Sequence, residues 1–350
     1  MTAISLTRVF LGGLVLISSG CVQDPASVEP AVPVPSAKGV YILNEGTWGR
    51  GNSTLTYYNL ESFTPYNDVY GSVNGTGIGD VGNQVVLRGD RGYIVVNNSD
   101  RIEIFDLAST KNLGTISLGA GKSPRQMAFA NDSIAFLTAS YDNAVLVLNV
   151  FAKTVLHRIP VGDNPEGIAI TGRKAYVANS GFGSGKTVSV IDVAGMTVTK
   201  TIVVGDNPNG VVLDEDGYVW VVCAGSYDFS NPANDSPAKL KIIDPATDAL
   251  IDSVFIGPHA YSMGIGPDGR AYVPSATEVM TIDTRARRVV GTFQKGYYYS
   301  AGVEYVSGDV YLTDAKGFLG PGEVVIFAAN GQLRNRFQAG VIPGSIAFKR

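Results

Sequence analysis

From Gly39 to Arg350, apolar and polar residues alternate with a period of two in short runs, and each run closes on Gly, Asn, Asp or Pro. That alternation marks half-buried β-strands joined by tight turns. It is cleanest in "NPEGIAITGRKAYVANSGFGSGKTVSVIDVAGMTVTKTIVVGDNP", where "GIAI", "AYVAN", "TVSVID" and "VTKTIVV" predict four successive strands.

The unit repeats. The position held by Pro165 recurs at Gly82, Pro124, Pro208, Pro258, Ser300 and Pro343, with spacings of 42, 41, 43, 50, 42 and 43 residues. Four strands in roughly 40 to 45 residues make one blade of a β-propeller. Second-strand copies run "GVYILNEG", "GYIVVNN", "IAFLTAS", "KAYVANS", "GYVWVVCAG", "RAYVPSA" and "DVYLTDA", which predicts seven blades. The series opens on a second strand at Gly39 and ends on a first strand, "PGSIAFKR", from Pro343 to Arg350. The expected fold is therefore an all-β, seven-bladed β-propeller over residues 39–350, with the C-terminal strand completing the first blade. An extra incomplete blade would leave two sheet edges open.

Two segments precede the repeat. Residues 1–21 read as a signal peptide: Arg8 closes a short polar start, Val9 to Ile17 are apolar, and Ser18, Ser19 and Gly20 lead into Cys21. The apolar run is too short to span a bilayer. Cys directly after small residues resembles a bacterial lipobox, with Ser18 where Leu is usual, so Cys21 is expected to be lipidated. Residues 22–38 carry Pro25, Pro30, Pro33 and Pro35 and read as a semi-extended tether.

The predicted loops are asymmetric. In a four-stranded blade the second-to-third-strand loops and the inter-blade loops share one face of the disc. Here those loops are long, whereas the first-to-second turns on the other face are as short as "NDS" and "TGR". Long loops on one end of a rigid scaffold are where binding usually resides. They carry Trp48, Tyr141, Phe182, Tyr227, Phe229, Tyr297, Tyr298, Tyr299 and Phe318, and all of these but Phe318, with His259 and Arg125, form the candidate ligand site. About half the rings are expected to pack structurally. Tyr297 to Tyr299 cannot all face one core on a strand of period two, so at least one should point to the channel mouth.

Other chemistry is sparse. The chain of 350 residues has a net charge of -4 and no basic cluster, which argues against nucleic-acid binding. Its two cysteines provide no disulfide framework. His157 and His259 are too few for a histidine-rich metal site, and no cofactor is expected. "GAGKS" at Gly119 to Ser123 lacks the earlier Gly of a phosphate loop and reads as a turn between blades. Asp192, Asp244 and Asp283 recur at one blade position, which marks turn caps and not a catalytic pair.

The segments "VGDNPEGIAI", "KAYVANSGFGSGKTVSVID" and "VVGDNPNGVVL" resemble the YncE-like family of seven-bladed propellers. The opening "GVYILNEGTWGRGNSTLTYYN", behind a lipobox and a tether, is similar to the start of Bacteroidetes surface lipoproteins that include the cobalamin-binding propellers. That resemblance implies an outer-membrane lipoprotein, exposed at the cell surface, that holds a corrinoid on its loop face for a TonB-dependent transporter. A protein-binding scaffold of the cell envelope is the alternative. A propeller lactonase or lyase ranks below both, because the loop face is poor in His, and the chain is expected not to be an enzyme.

Overall fold

The alternating runs pair as the repeat predicts. A computed structural model of the chain describes residues 38–227, 230–257 and 259–350, and the described strands form seven four-stranded antiparallel sheets. The fourth blade is representative, with Pro165–Thr171 innermost, then Lys174–Asn179, Thr187–Asp192 and the outer Thr197–Val203. Second and third strands read almost continuously apolar because both sheet faces are covered by neighbouring blades. Between blades two and three, Tyr93, Ile102 and Ile104 pack with Leu137, Leu146 and Leu148. Between five and six, Trp220, Leu240 and Ile242 pack with Val273 and Ile282. The blades form a closed ring, a seven-bladed β-propeller.

Closure follows the predicted route. Pro343–Lys349 pairs antiparallel with Gly39–Asn44, Lys349 opposite Gly39 and Pro343 opposite Asn44, and Thr54–Asn59 and Thr64–Tyr66 complete that first blade. The bond between the two ends of the ring is thus a ladder of main-chain pairing along the whole strand, interrupted by one bulge between Leu43 and Asn44.

A second device recurs at the centre. The residue before five inner strands takes a left-handed backbone: Val81 (φ 57°), Ser123 (49°), Asn164 (44°), Asn207 (53°) and Ile342 (56°). Asn tolerates that region; the β-branched Val81 and Ile342 hold it against their own preference. Immediately afterwards the ladder is bulged, between Gly82 and Gln84, Pro124 and Met127, Pro165 and Ile168, and Pro208 and Gly210. A bulge frees one residue from the ladder and re-aims it. Those freed residues include Asn83, Arg125, Glu166 and Asn209.

Blade six departs from the expected phase. Its inner strand is only Gly264–Ile265, with one isolated bridge between Ala260 and Ser275, and Pro258 lies outside the described residues. His259 to Met263 therefore runs free of a continuous ladder on the loop-rich face.

The small motifs resolve as local structure. Asp192 accepts from Gly195 N (2.7 Å), Asp244 from Ala246 N (2.9 Å) and Asp283 from Ala286 N (2.9 Å), so each caps a turn. In "GAGKS", Gly121, Lys122 and Ser123 all donate their main-chain N–H groups to the Asp100 carboxylate, at 2.6, 2.9 and 2.7 Å. Asp100 thereby fills the concavity a phosphate would need. Cys21 and most of the tether lie outside the described residues. Among the described residues no helix is long and apolar enough to cross a membrane.

Candidate functional site at the channel mouth

The bulged inner strands bring side chains from different blades together at the loop-rich end of the channel. Arg125 Nε donates to Glu166 Oε2 at 2.5 Å, and Arg125 Nη1 donates to Asn83 Oδ1 at 3.0 Å, linking blades two, three and four. Across the ring the Tyr299 hydroxyl, at the entry to blade seven, hydrogen-bonds the carboxyl of Glu45, which follows the second strand of blade one. Arg125 interacts electrostatically with both Glu45 and Tyr299, so the two halves form one cluster.

Gly344 makes room for Glu45. A Cβ at residue 344 would sit 2.5 Å from Glu45 Oε1, where no side chain fits without displacing the carboxyl. Position 344 corresponds in the repeat to Arg125 and Glu166, so the first blade exchanges a channel side chain for the space that Glu45 occupies.

Burial tunes these groups. It pushes Glu45 up to about 7, against the opposing hydrogen bond from Tyr299 and the charge of Arg125. Tyr299 is raised well above the usual phenol range by burial and then by Glu45. Burial alone would lower Arg125; the Glu166 carboxylate outweighs it and holds the guanidinium charged. Burial pushes the Glu166 carboxyl up, against the pull of Arg125.

Around this mouth stand exposed rings. Tyr227, from the long loop of blade five, stacks on His259 from the loop entering blade six. Burial raises Tyr261 and Tyr297, and nearby phenols add to this: Tyr227 acts on both, and Tyr261 on Tyr297. Phe318, from the long loop of blade seven, meets Tyr297 edge-on at 6.3 Å and Tyr299 at 5.5 Å. On the far arc Tyr141 packs edge-on against Phe182 at 5.7 Å. Tyr141, Phe182, Tyr227, Tyr261, Tyr297 and Phe318 keep between 39% (Phe318) and 68% (Phe182) of their surface in water. Phe182 and Phe318 also hold left-handed backbone, φ 50° and 66°, a conformation bulky residues rarely adopt.

The predicted residues thus divide. Tyr227, His259, Tyr297 and Tyr299 share one arc, Tyr141 and Phe182 share another, and Arg125 joins the channel cluster. Trp48 is exposed on the first-blade loop, whose Gly49 N–H is held by Asp80 at 2.9 Å, and has no ring contact among the described residues. Tyr298 turns the other way and packs with Phe293 and Ala301 against the core of blades six and seven. Phe229 lies outside the described residues. Sequence reasoning passed over Glu45, Asn83, Glu166 and Tyr261. The signal for Asn83 and Glu166 was present: a polar residue follows the recurrent Gly or Pro at positions 83, 125, 166 and 209.

Comparison with solved structures finds the same fold. Hydrazine synthase from Kuenenia stuttgartiensis is 17% identical, with a TM-score of 0.63 over 75% of this chain and 88% of that one. A quinoprotein alcohol dehydrogenase-like protein from Bacteroides thetaiotaomicron is 16% identical, with a TM-score of 0.69 over 90% and 79%. Apo AztD from Citrobacter koseri is 10% identical, with a TM-score of 0.57 over 89% and 97%. A search of curated proteins gives no match. The family match covers residues 38–331, which hold blades two to six whole and three strands each of blades one and seven, and the chain belongs to the family described as domain of unknown function (DUF5074).

Proposed function

We propose that the loop-rich face captures a flat, amphipathic small molecule, and that this ligand is a corrinoid such as cobalamin, held for a TonB-dependent outer-membrane transporter by a protein anchored through Cys21. The observation that carries the reading is the juxtaposition of exposed rings with polar groups: Tyr227 on His259, with Tyr297 and Phe318, beside Glu45, Arg125 and Asn83. Rings left in water regain their burial against a flat ligand, and a handful of such anchors supplies most of a binding energy. A corrin offers a wide apolar face fringed by amides. Those amides match the mixed donors and acceptors of Asn83, Arg125 and Glu45.

The test is direct. The chain is incubated with cyanocobalamin, desalted and read for the corrin absorbance. Stoichiometric colour supports the reading, and a colourless protein removes the corrinoid from it.

A further inference from the structure

A separate cavity opens on the opposite, short-turn face, at the seam where the two ends of the repeat close the ring. Its volume is about 800 Å³, inside the range of small-molecule sites. Tyr58, Leu60 and Phe63 line it from blade one, and Val306, Tyr311 and Ile326 from blade seven. Its aromatic floor is rigid: Tyr58 stacks on Phe337 at 4.7 Å, and Tyr311 meets Phe348 edge-on at 5.2 Å.

The repeat itself shows what is unusual here. A buried Tyr recurs at the third position of the second-strand copies. Tyr41 donates to the Leu107 carbonyl at 3.4 Å, and Tyr176 donates to Asp248 at 2.5 Å. Tyr311 is equally buried, at 2% exposure, yet its hydroxyl makes no hydrogen bond among the described residues, and burial drives its acidity down without a compensating partner. Where Tyr41 and Tyr176 meet an acceptor, Tyr311 meets the cavity.

The charge of the lining is positive. Lys38, Arg334 and Arg350 face two acids, Glu304 and Asp309, while Lys349 lines the cavity with its stem and turns its ammonium to the Leu107 carbonyl of blade two at 2.8 Å. Both acids are engaged within the fold: Glu304 Oε2 accepts from Val306 N and Ser307 N, and Asp309 pairs with Arg334 at 3.6 Å.

We infer that this seam cavity binds an amphipathic carboxylic acid of the fatty-acid class. The acyl chain lies against Tyr58, Leu60, Phe63 and Ile326, the cationic rim draws the carboxylate, and Tyr311 offers a hydroxyl. A ligand seated there spans both ends of the repeat, so it also staples the closure and raises the melting temperature.

Calorimetric titration of the full chain with laurate, and in parallel with uncharged dodecanol, tests this. Laurate is expected to bind saturably and raise the melting temperature. Lys38→Glu with Arg350→Glu reverses the net charge of the lining from two rim positions outside the core, and should weaken laurate at least tenfold while leaving dodecanol unchanged. Tyr311→Phe keeps the ring and should weaken laurate by roughly threefold. Tyr297→Ala, on the other face, should change neither. Absence of saturable laurate binding to the parent chain overturns the inference, and so does parental affinity in both the charge-reversed and Tyr311→Phe variants.

Discussion

The Tyr227 ring lies flat on the His259 imidazole, with centroids 3.5 Å apart and planes 9° from parallel. His259 Nδ1 lies 3.3 Å from the Ala224 carbonyl, and its backbone holds φ 38°. One ring thus supports the other at the edge of the loop-rich face. Removing an anchor of this kind typically weakens binding by ~2 kcal/mol, or more than tenfold. Tyr227→Ala and Tyr297→Ala are expected to weaken cobalamin binding at least roughly tenfold each, with Arg173→Ala on the short-turn face unchanged. Calorimetry on the three variants decides, and two tyrosine variants with parental affinity would take this face out of the proposal.

Glu45 makes stability depend on pH. Its folded pKa of about 7 lies above the ordinary 4.5, so the native state holds the proton more tightly than the unfolded chain. For a raised acid the stabilising effect of that proton is present at low pH and fades as pH climbs from about 4.5 to about 7. Glu45→Gln should therefore melt about 2 °C or more above the parent at pH 8 and lose that advantage at pH 5. Equal differences at both pH values would show that Glu45 is not the titrating group.

Arg125 and Glu166 should fail singly and recover jointly. Their side chains are 30% and 10% exposed. Arg125→Met strands a buried carboxyl and is expected to destabilise by about 3 kcal/mol, whereas adding Glu166→Gln should restore much of the loss. Denaturant midpoints of the two single variants and the double variant give the coupling. Strict additivity would mean that the pair does not act as a unit.

Deleting Pro343 to Arg350 removes the strand paired with Gly39–Asn44 and exposes the edge of that strand. The truncated chain should be insoluble or melt far below the parent. A truncated chain with the parental melting temperature would contradict closure as the source of stability.

The anchor is tested by fractionation. Cys21→Ser should leave the propeller folded, because the residue precedes the tether, and should move the protein from the membrane to the soluble fraction. Continued sedimentation of the variant, with no acyl label on the parent, would remove lipidation from the proposal.

The blade count, the closing strand and the caps at Asp192, Asp244 and Asp283 were legible in the sequence because each follows from local periodicity. Alternation of period two states which residues a strand buries, and a repeat of fixed length states how often the strand returns. The sequence could say that Tyr297, Tyr298 and Tyr299 must diverge. It could not say which ring faces water, which packs with Phe293 and which meets Glu45, because the phase of the strand is set by its partners. Blade six shows the same limit, since the repeat spacing carried no sign that its inner strand would shrink to Gly264–Ile265. The channel cluster and the seam cavity were decided by tertiary structure alone. Glu45, Arg125, Glu166 and Tyr299 come from four blades, and Tyr58 meets Tyr311 across the closure. Contacts between residues so distant along the chain arise only when the ring closes, and burial then sets their charge.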